Sequence, residues 1–323
     1  IGNGYRSLFL SDHGNSNLFL KINTRFWKLN YQNLFMELMP QFKKSGQDLL
    51  LDRKYAAMHH LSMNFTKWLN IGLFEGVIFG RENHFDFQYL NPVIFYRHVE
   101  GTVGSPDNAV AGLDFKANIA HTAQFYGQFL LDEFILAQIK KKTGYWANKY
   151  ALQLGVKYVD AFKINNLDLQ GEINIVRPFT YSHNDTIANY THYNQPLAHP
   201  LGGGVRELIG IMKFQPKPKI YLYGRLMYYV QGLDSLGRNF GSNPLQNYTT
   251  RPRDYGFFIG SGNKAKCFNA TFVVSYEIKE NLFIEGTALH RTYKTALASS
   301  LSGNTSMLSI GVRWNIGRRE YDY

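Results

Sequence analysis

Aromatic and basic side chains interleave in several polar stretches of this sequence, a combination that suits the recognition of sugars. The residues concerned are Tyr89, Tyr96, Arg97, Tyr145, Trp146, Tyr190, His192 and Tyr193. Sugar rings pack their C–H faces on aromatic rings, and acidic glycans add charge pairing with Arg and Lys. These residues are therefore candidates for a glycan-binding site. The alternative interpretation is that they pack within loops or form an aromatic girdle at a membrane interface.

The sequence contains no pattern typical of catalysis or of metal binding. It has no Gly-x-Ser-x-Gly elbow and no Ser, His and Asp arrangement that indicates a triad, so we expect no enzyme and no catalytic residues. His183, His192 and His199 share one polar stretch with Asp185, but their spacing matches no compact metal motif. We therefore expect neither a metal ion nor a cofactor. The single cysteine, Cys267, excludes an intramolecular disulfide framework.

Composition restricts the class of protein. The chain has 323 residues and a formal net charge of +11. A basic surface could meet lipid phosphates, acidic polysaccharide or nucleic acid, but no nucleic-acid motif accompanies the charge, so we expect no nucleic-acid partner. No apolar run reaches the ~18 residues of a transmembrane helix. Aromatic residues make up 15% of the chain, which suits a barrel with two aromatic girdles and also a soluble all-β protein.

Apolar and polar residues alternate over many segments, which predicts strands with one apolar and one polar face. The clearest segment is Met307–Ile316, where Leu308, Ile310, Val312 and Trp314 share a face. Further apolar faces lie within 69–79, 109–119, 152–158, 220–230 and 268–276. All of these segments except 152–158 match the roughly 9–11 residues that a tilted strand needs to cross a bilayer.

The predicted connections between strands alternate between short and long. Short turns are expected near 26–29, 66–69, 119–122, 215–219 and 278–281, with a longer one near 162–167. Long polar loops are expected at 40–54, 80–107, 133–146, 179–203, 232–264 and 293–304. Outer-membrane barrels have this asymmetry, with tight periplasmic turns and long extracellular loops. The sequence therefore predicts an all-β, antiparallel outer-membrane barrel.

The count of predicted strands is about fourteen, the even number that single-chain bacterial barrels have. It includes Tyr5–Ser11 as a first strand, and more strands are expected if the N-terminus is truncated. We expect 1–323 to form a single domain whose C-terminus lies in the periplasm, and whose signal peptide is absent from this sequence. Glu133–Lys142 is predicted either as a short helix over the barrel mouth, with Phe134 and Ala137 buried, or as an extended strand. Asp132 and Glu133 are expected at a solvated rim.

Two stretches resemble a known family. Gly2–Asp12 resembles a segment of the Wzi-like family of capsule-assembly outer-membrane barrels. Leu90–Arg97, followed by Gly104–Asn108, looks like the Bacteroidota branch of that family, which includes gliding-motility barrels of the RemB-like type. The resemblance implies an association with surface polysaccharide, gliding motility and type 9 secretion. It also implies that Asp185-Thr186-Ile187 and Asp234-Ser235-Leu236 are O-glycosylation signals, modified at Thr186 and Ser235.

The predicted function is non-enzymatic. One hypothesis is an outer-membrane barrel, embedded among lipid and lipopolysaccharide, that engages capsular polysaccharide. A second is an accessory subunit of a gliding or type 9 secretion machine, with other barrels and lipoproteins as partners. A third is a diffusion porin for small anionic solutes, since Lys116, Lys157 and Arg313 are expected to point inward.

Overall fold

The computed structural model describes residues 1–40, 53–81, 86–93, 107–235, 237–296 and 301–315. The strands are β1 (Leu18–Phe26), β2 (Leu29–Leu38), β3 (Arg53–Asn64), β4 (Leu69–Arg81), β5 (Asn108–Ile119), β6 (Ala123–Glu133), β7 (Lys149–Tyr158), β8 (Leu167–Val176), β9 (Thr191–His192), β10 (Gln195–Pro196), β11 (Val205–Lys217), β12 (Ile220–Leu233), β13 (Asn263–Lys279), β14 (Leu282–Thr295) and β15 (Gly303–Trp314). The helices are α1 (Leu136–Lys141) and 3₁₀ turns at Phe87–Leu90, Ala161–Lys163 and Tyr248–Thr250.

Thirteen strands form one antiparallel sheet in chain order, from β1 to β8 and then from β11 to β15. The two-residue strands β9 and β10 pair only with each other, inside the connection between β8 and β11. Within the described residues, β1 and β15 each pair on one side, so the pairing does not close into a ring. The predicted antiparallel all-β architecture is confirmed in this form.

Connections of different length lie at opposite ends of the sheet. The short ones are 27–28, 65–68, 120–122, 159–166, 218–219 and 280–281, at what we call the turn end. The others are 39–52, 82–107, 134–148, 177–204, 234–262 and 296–302, at what we call the loop end. The predicted sorting is confirmed with one exception. The loop-end connection 296–302 is shorter than expected, and one residue shorter than 159–166 at the turn end, because β14 and β15 extend further into it.

The predicted apolar faces fall on one side of the sheet, which we call the outer face. Register places Leu154 beside Ile173, Leu226 beside Ala270, and Ile284 beside Val312. Many large apolar side chains on this face are exposed, among them Leu113, Phe129, Leu154, Leu208, Leu226, Phe272, Ile284 and Ile310. Monomeric soluble proteins rarely expose apolar surface that is so continuous. In the described part of the chain, no helix is both long and apolar enough to span a membrane.

The N-terminal segment 1–11 lies against the opposite, inner face, where the sheet curves around it. It contacts Phe74 of β4, Gln128 of β6, Glu172 of β8 and Arg225 of β12. In a flat sheet, strands as distant from each other in the strand order as β4 and β12 could not both contact one short segment. The sheet therefore wraps around residues 1–11.

The prediction that Tyr5–Ser11 forms a strand is wrong. Backbone amides of this segment donate to side chains or, at Ser11, to the Leu197 carbonyl of the loop 177–204 at 2.8 Å, instead of to a neighbouring strand. Glu172 accepts from the amides of Tyr5 and Arg6 at 2.6 and 3.0 Å, and Gln128 accepts from that of Leu8 at 2.7 Å. Alternation alone cannot distinguish a strand from a segment whose hydrogen bonds are satisfied by interior carboxylates and amides.

The hydrophobic core lies inside the curved sheet, toward the loop end. Leu8 and Phe9 pack there with the inner faces of β2 to β8 and β11 and with the loop 177–204. Tyr181 and Tyr190 of that loop are fully buried, and their hydroxyls donate to the carbonyls of Leu8 at 3.0 Å and Phe9 at 2.7 Å. The loop and the N-terminal segment thus stabilise each other within the sheet.

Part of the outer face is covered by the chain itself. Tyr89 is buried against Phe79 with a ring distance of 4.5 Å, and its hydroxyl donates to Asp107 at 2.6 Å. Further along the same face, His59 is fully buried and lies 2.9 Å from Glu75. The outer face of β2–β4 is therefore packed and partly polar, unlike the apolar outer face of β11–β15.

The helix predicted within Glu133–Lys142 is present as α1, with Lys140 and Lys141 in its last turn, where cations favour the helix dipole. The predicted burial of Phe134 and Ala137 is wrong, since both are exposed. No residue of this six-residue helix is buried, so its apolar side chains do not join the core.

Candidate functional site

Three loops meet at the loop end: 134–148, 177–204 and 234–262. Backbone hydrogen bonds join the first to the third, from the amide of Trp146 to Asp254 at 3.0 Å, from Gly256 to Thr143 at 2.8 Å, and from Phe257 to Gly144 at 2.9 Å. Gly144 has a φ of +69°, and a Cβ there would lie 2.8 Å from the Phe257 nitrogen. The tight approach of the two loops therefore requires glycine at this position.

Side chains from these loops form what we call the aromatic–basic cluster, composed of Tyr145, Trp146, Tyr248, Arg251 and Tyr255. The Arg251 guanidinium carbon lies 3.9 Å from the centre of a Trp146 ring. The Tyr248 ring is 4.7 Å from Trp146, and Tyr145 lies 6.1 Å from Trp146 and 5.4 Å from Tyr255. Trp146, Tyr248 and Arg251 are half-buried, which holds them in place while leaving part of each side chain accessible.

A buried lysine, Lys149, contacts the cluster on its buried side. The Lys149 ammonium lies 4.3 Å from the centre of the Tyr248 ring and donates to the Ser182 carbonyl at 3.2 Å. Its nearest carboxylates are Glu133 at 3.4 Å and Asp132 at 3.8 Å. The expectation that Asp132 lies at a solvated rim is wrong, since its side chain is 2% exposed. Pairing of β6 with β7 brings Lys149 to the two acids.

The geometry of the cluster suits a sugar with negative charge. Aromatic faces can stack on sugar C–H groups, and Arg251 supplies donors for carboxylate or hydroxyl oxygens. In the described part of the chain, Arg251 forms an ion pair with Asp254 at 2.8 Å, and the Asp254 side chain is 55% exposed. Exposed pairs of this kind are weak, so an anionic ligand could compete for Arg251.

The structure brings only some of the predicted sugar-binding residues together. Tyr145 and Trp146 are in the cluster, whereas Tyr190 and His192 are buried. Tyr193 is 43% exposed and packs on His192 at 4.5 Å. Tyr89 is buried on the outer face, as described above. Tyr96 and Arg97 lie outside the described residues.

Sequence reasoning missed Tyr248, Arg251 and Tyr255. They belong to one stretch, 247–255, in which tyrosine and arginine alternate with small polar residues and proline. The interleaving of aromatic and basic residues that singled out Tyr145 and Trp146 is present there too, so the same criterion would have found it.

The histidines considered for a metal site have separate partners. His199 lies 3.0 Å from Glu207, whereas the ring of His183 accepts from the amide of Asp185 at 3.2 Å. Burial, with nearby Lys149, lowers the pKa of His183. Across the described ranges, no three His, Cys, Asp or Glu side chains come together as metal ligands would.

The two predicted O-glycosylation residues differ in accessibility. Thr186 is exposed, while Ser235 is half-buried in a backbone bridge with Arg238. Modification at either residue stays a prediction.

The hydrogen bonds of His192 predict that the stability of the folded protein depends on pH. Its Nδ1 accepts from the Met39 amide at 2.9 Å and its Nε2 faces the Ser16 carbonyl at 3.2 Å, which requires the neutral ring. Burial lowers the pKa of His192. Protons therefore bind the unfolded chain first, and stability is full above about pH 6.5 and declines as the pH falls below it.

Thermal unfolding at about pH 7.5 and about pH 5 measures this decline. His192→Gln should reduce the difference between the two midpoints. His121→Gln, at an exposed residue in the turn 120–122, should leave it unchanged. If the two midpoints differed by the same amount in the unaltered protein and in both variants, the role of His192 would be contradicted.

Comparison with known proteins shows the family to which this chain belongs. Residues 40–220, more than half of its length, match the family model described as capsule assembly protein Wzi. The chain belongs to this family. No curated protein matches it at a significant level.

Two solved structures are similar to the chain. One is Wzi from Escherichia coli, described as an outer-membrane protein involved in group 1 capsule assembly and as a carbohydrate-binding β-barrel. It is 12% identical, with a TM-score of 0.59, and the match covers 96% of this chain and 64% of that one. The other is the outer-membrane channel DcaP of Acinetobacter baumannii. It is 8% identical, with a TM-score of 0.41, and the match covers 93% of this chain and 84% of that one. The likeness to Wzi supports the barrel-type fold of this family member.

Proposed function

We propose that this chain is a non-enzymatic outer-membrane barrel that engages surface polysaccharide through the aromatic–basic cluster. The observation that carries the proposal is the stack of Arg251 on Trp146 at 3.9 Å, beside Tyr248 and at the loop end of the sheet. Stacking surface and a positive charge are together the chemistry that an acidic glycan needs. Membership of the capsule-assembly family supports the same conclusion.

The proposed location is the outer membrane, with the loop end outside the cell and the C-terminus in the periplasm. The exposed apolar side chains of the outer face would meet lipid and lipopolysaccharide. Extracellular loops would then present the cluster to capsular polysaccharide. Extraction of the protein from membranes without detergent would contradict this location.

Trp146→Ala is expected to weaken binding of an acidic polysaccharide by about tenfold or more, because central aromatic residues carry a large share of binding energy. Purified protein in detergent, titrated with capsular polysaccharide of the source strain, measures the effect. Arg251→Gln should weaken binding as well, and more at low than at high salt, since charge pairing is screened.

The matched control is Trp68→Ala, which removes an exposed tryptophan in the turn 65–68 at the other end of the sheet. Its affinity should equal that of the unaltered protein. If Trp146→Ala and Trp68→Ala bind polysaccharide equally well, the cluster is not the binding site. In cells, deletion of the protein should release polysaccharide into the medium.

Two other functions are weaker proposals. A role in a gliding or type 9 secretion machine of Bacteroidota rests on the sequence resemblance, and it predicts co-purification with other barrels and lipoproteins and no glycan affinity. A porin for anionic solutes would use Lys116 and Lys157, which flank the inner-face residue Tyr126. Packing of residues 1–11 and 177–204 inside the sheet argues for low conductance in planar bilayers.

A further inference from the structure

A cavity of about 370 Å³ adjoins the aromatic–basic cluster and shares Tyr145 with it. Its lining includes Gln138, Lys142, Tyr150, Arg177 and Phe258. Binding pockets for small molecules begin at roughly 300 Å³, so the cavity has room for a single sugar ring.

Arg177 is the charged group that distinguishes this cavity. Its Nε donates to the Asn148 carbonyl at 3.1 Å and its Nη2 to the Tyr145 carbonyl at 3.2 Å, which fixes the guanidinium against the wall. These two bonds use two of its five N–H groups. Among the described residues, no carboxylate lies within 4.0 Å of Arg177, in contrast to Arg6 and Arg81.

An arginine held partly out of water normally has an anionic partner. Burial lowers the pKa of Arg177, and the opposing effect of Tyr150 is smaller. Lys142 is the other charged residue of the lining, so both charges in the cavity wall are positive. An anion from outside the chain would supply the missing partner.

We propose that the cavity binds one carboxylated sugar residue, a uronic acid, with its carboxylate on Arg177 and Lys142 and its ring against the aromatic wall of Tyr145 and Phe258. This inference rests on the proposed function and names the substrate class of the same site. The planar fork of arginine matches carboxylate oxygens in pairs, and the shared Tyr145 lets one polymer chain continue from the cavity to Trp146.

The test uses the whole chain in detergent and two probes, a glucuronate–N-acetylglucosamine tetrasaccharide and its carboxyl-reduced, neutral form. The unaltered protein should bind the acidic form about tenfold more tightly, as one charge-assisted hydrogen bond allows. The Arg177→Gln variant should lose this preference and bind both forms with the affinity that the unaltered protein has for the neutral form. Lys142→Gln, at an exposed side chain, should reduce the preference severalfold.

Further variants separate recognition from folding. Arg177→Lys keeps the charge and should retain part of the preference if Arg177 acts on the ligand. Trp146→Ala should weaken both forms equally. The uronate site would be overturned if the unaltered protein bound both forms with equal affinity, or if it bound glucose 6-phosphate as tightly as the acidic tetrasaccharide. Either result would leave the proposed function standing. Absence of binding to either form and to native polysaccharide would remove both.

Discussion

Replacing Glu207 with alanine is expected to destabilise the folded protein by about 3–5 kcal/mol, the cost of breaking a buried ion pair on one side. The Glu207 side chain is fully buried. It accepts from Arg6 Nη2 at 2.8 Å and Arg6 Nε at 3.0 Å, and His199 Nε2 lies 3.0 Å away. Its removal leaves Arg6 charged and without this partner inside the sheet.

Urea unfolding of detergent-solubilised protein, followed by tryptophan fluorescence, measures the loss. The matched control is Glu285→Ala, which breaks the Arg313–Glu285 pair at the inner face of β14 and β15. Those side chains are 43% and 24% exposed, so the control should cost about 1 kcal/mol or less. Equal losses in the two variants would mean that the interior pair does not hold residues 1–11 in place.

Phe9→Ala is expected to cost about 3–5 kcal/mol, the range for a large aromatic side chain lost from a packed core. Phe9 is fully buried and stacks on Phe74 with ring centres 4.4 Å apart and an interplanar angle of 4°. Opposite the ring lies Gly112, where a Cβ would come within 2.3 Å of Phe9 Cε1. The sheet therefore has a fitted space for this ring that alanine would leave empty.

Two measurements test the packing of Phe9. The free energy of unfolding should fall by the stated amount, and amide hydrogen exchange should rise selectively in residues 5–10, which the ring anchors. Phe162→Ala, at a side chain that is 70% exposed in the connection 159–166, is the control and should change neither. Gly112→Val should reproduce the effect of Phe9→Ala from the other side of the contact. Unchanged exchange in both variants would contradict the model of a fitted space.

The strands and their faces were predictable from sequence, because the information is local. Side chains alternate with period two, so Leu308, Ile310 and Val312 had to share a face once the segment was extended. Tight connections such as 27–28 and 218–219 leave no path except an antiparallel return. The sorting of short and long connections followed from the same local reading.

The site was predictable only in part. Tyr145 and Trp146 could be identified as candidates, but the interleaving criterion could not separate them from Tyr190 and His192, which are buried. Exposure of a loop side chain depends on what else packs on the loop. For Tyr190 the partner is the Phe9 carbonyl, which is 181 residues away in sequence.

The sequence by itself determined that this is an antiparallel sheet with an apolar outer face, short connections at one end and long ones at the other. Only the tertiary structure decided that residues 1–11 fill the interior and do not extend the sheet. It also decided that Arg251 stacks on Trp146 and that Arg177 faces a cavity. The physical reason is the range of the interactions: pleat and turn length act between neighbours in sequence, whereas buried charge pairs and aromatic stacks join residues that only the complete fold brings together.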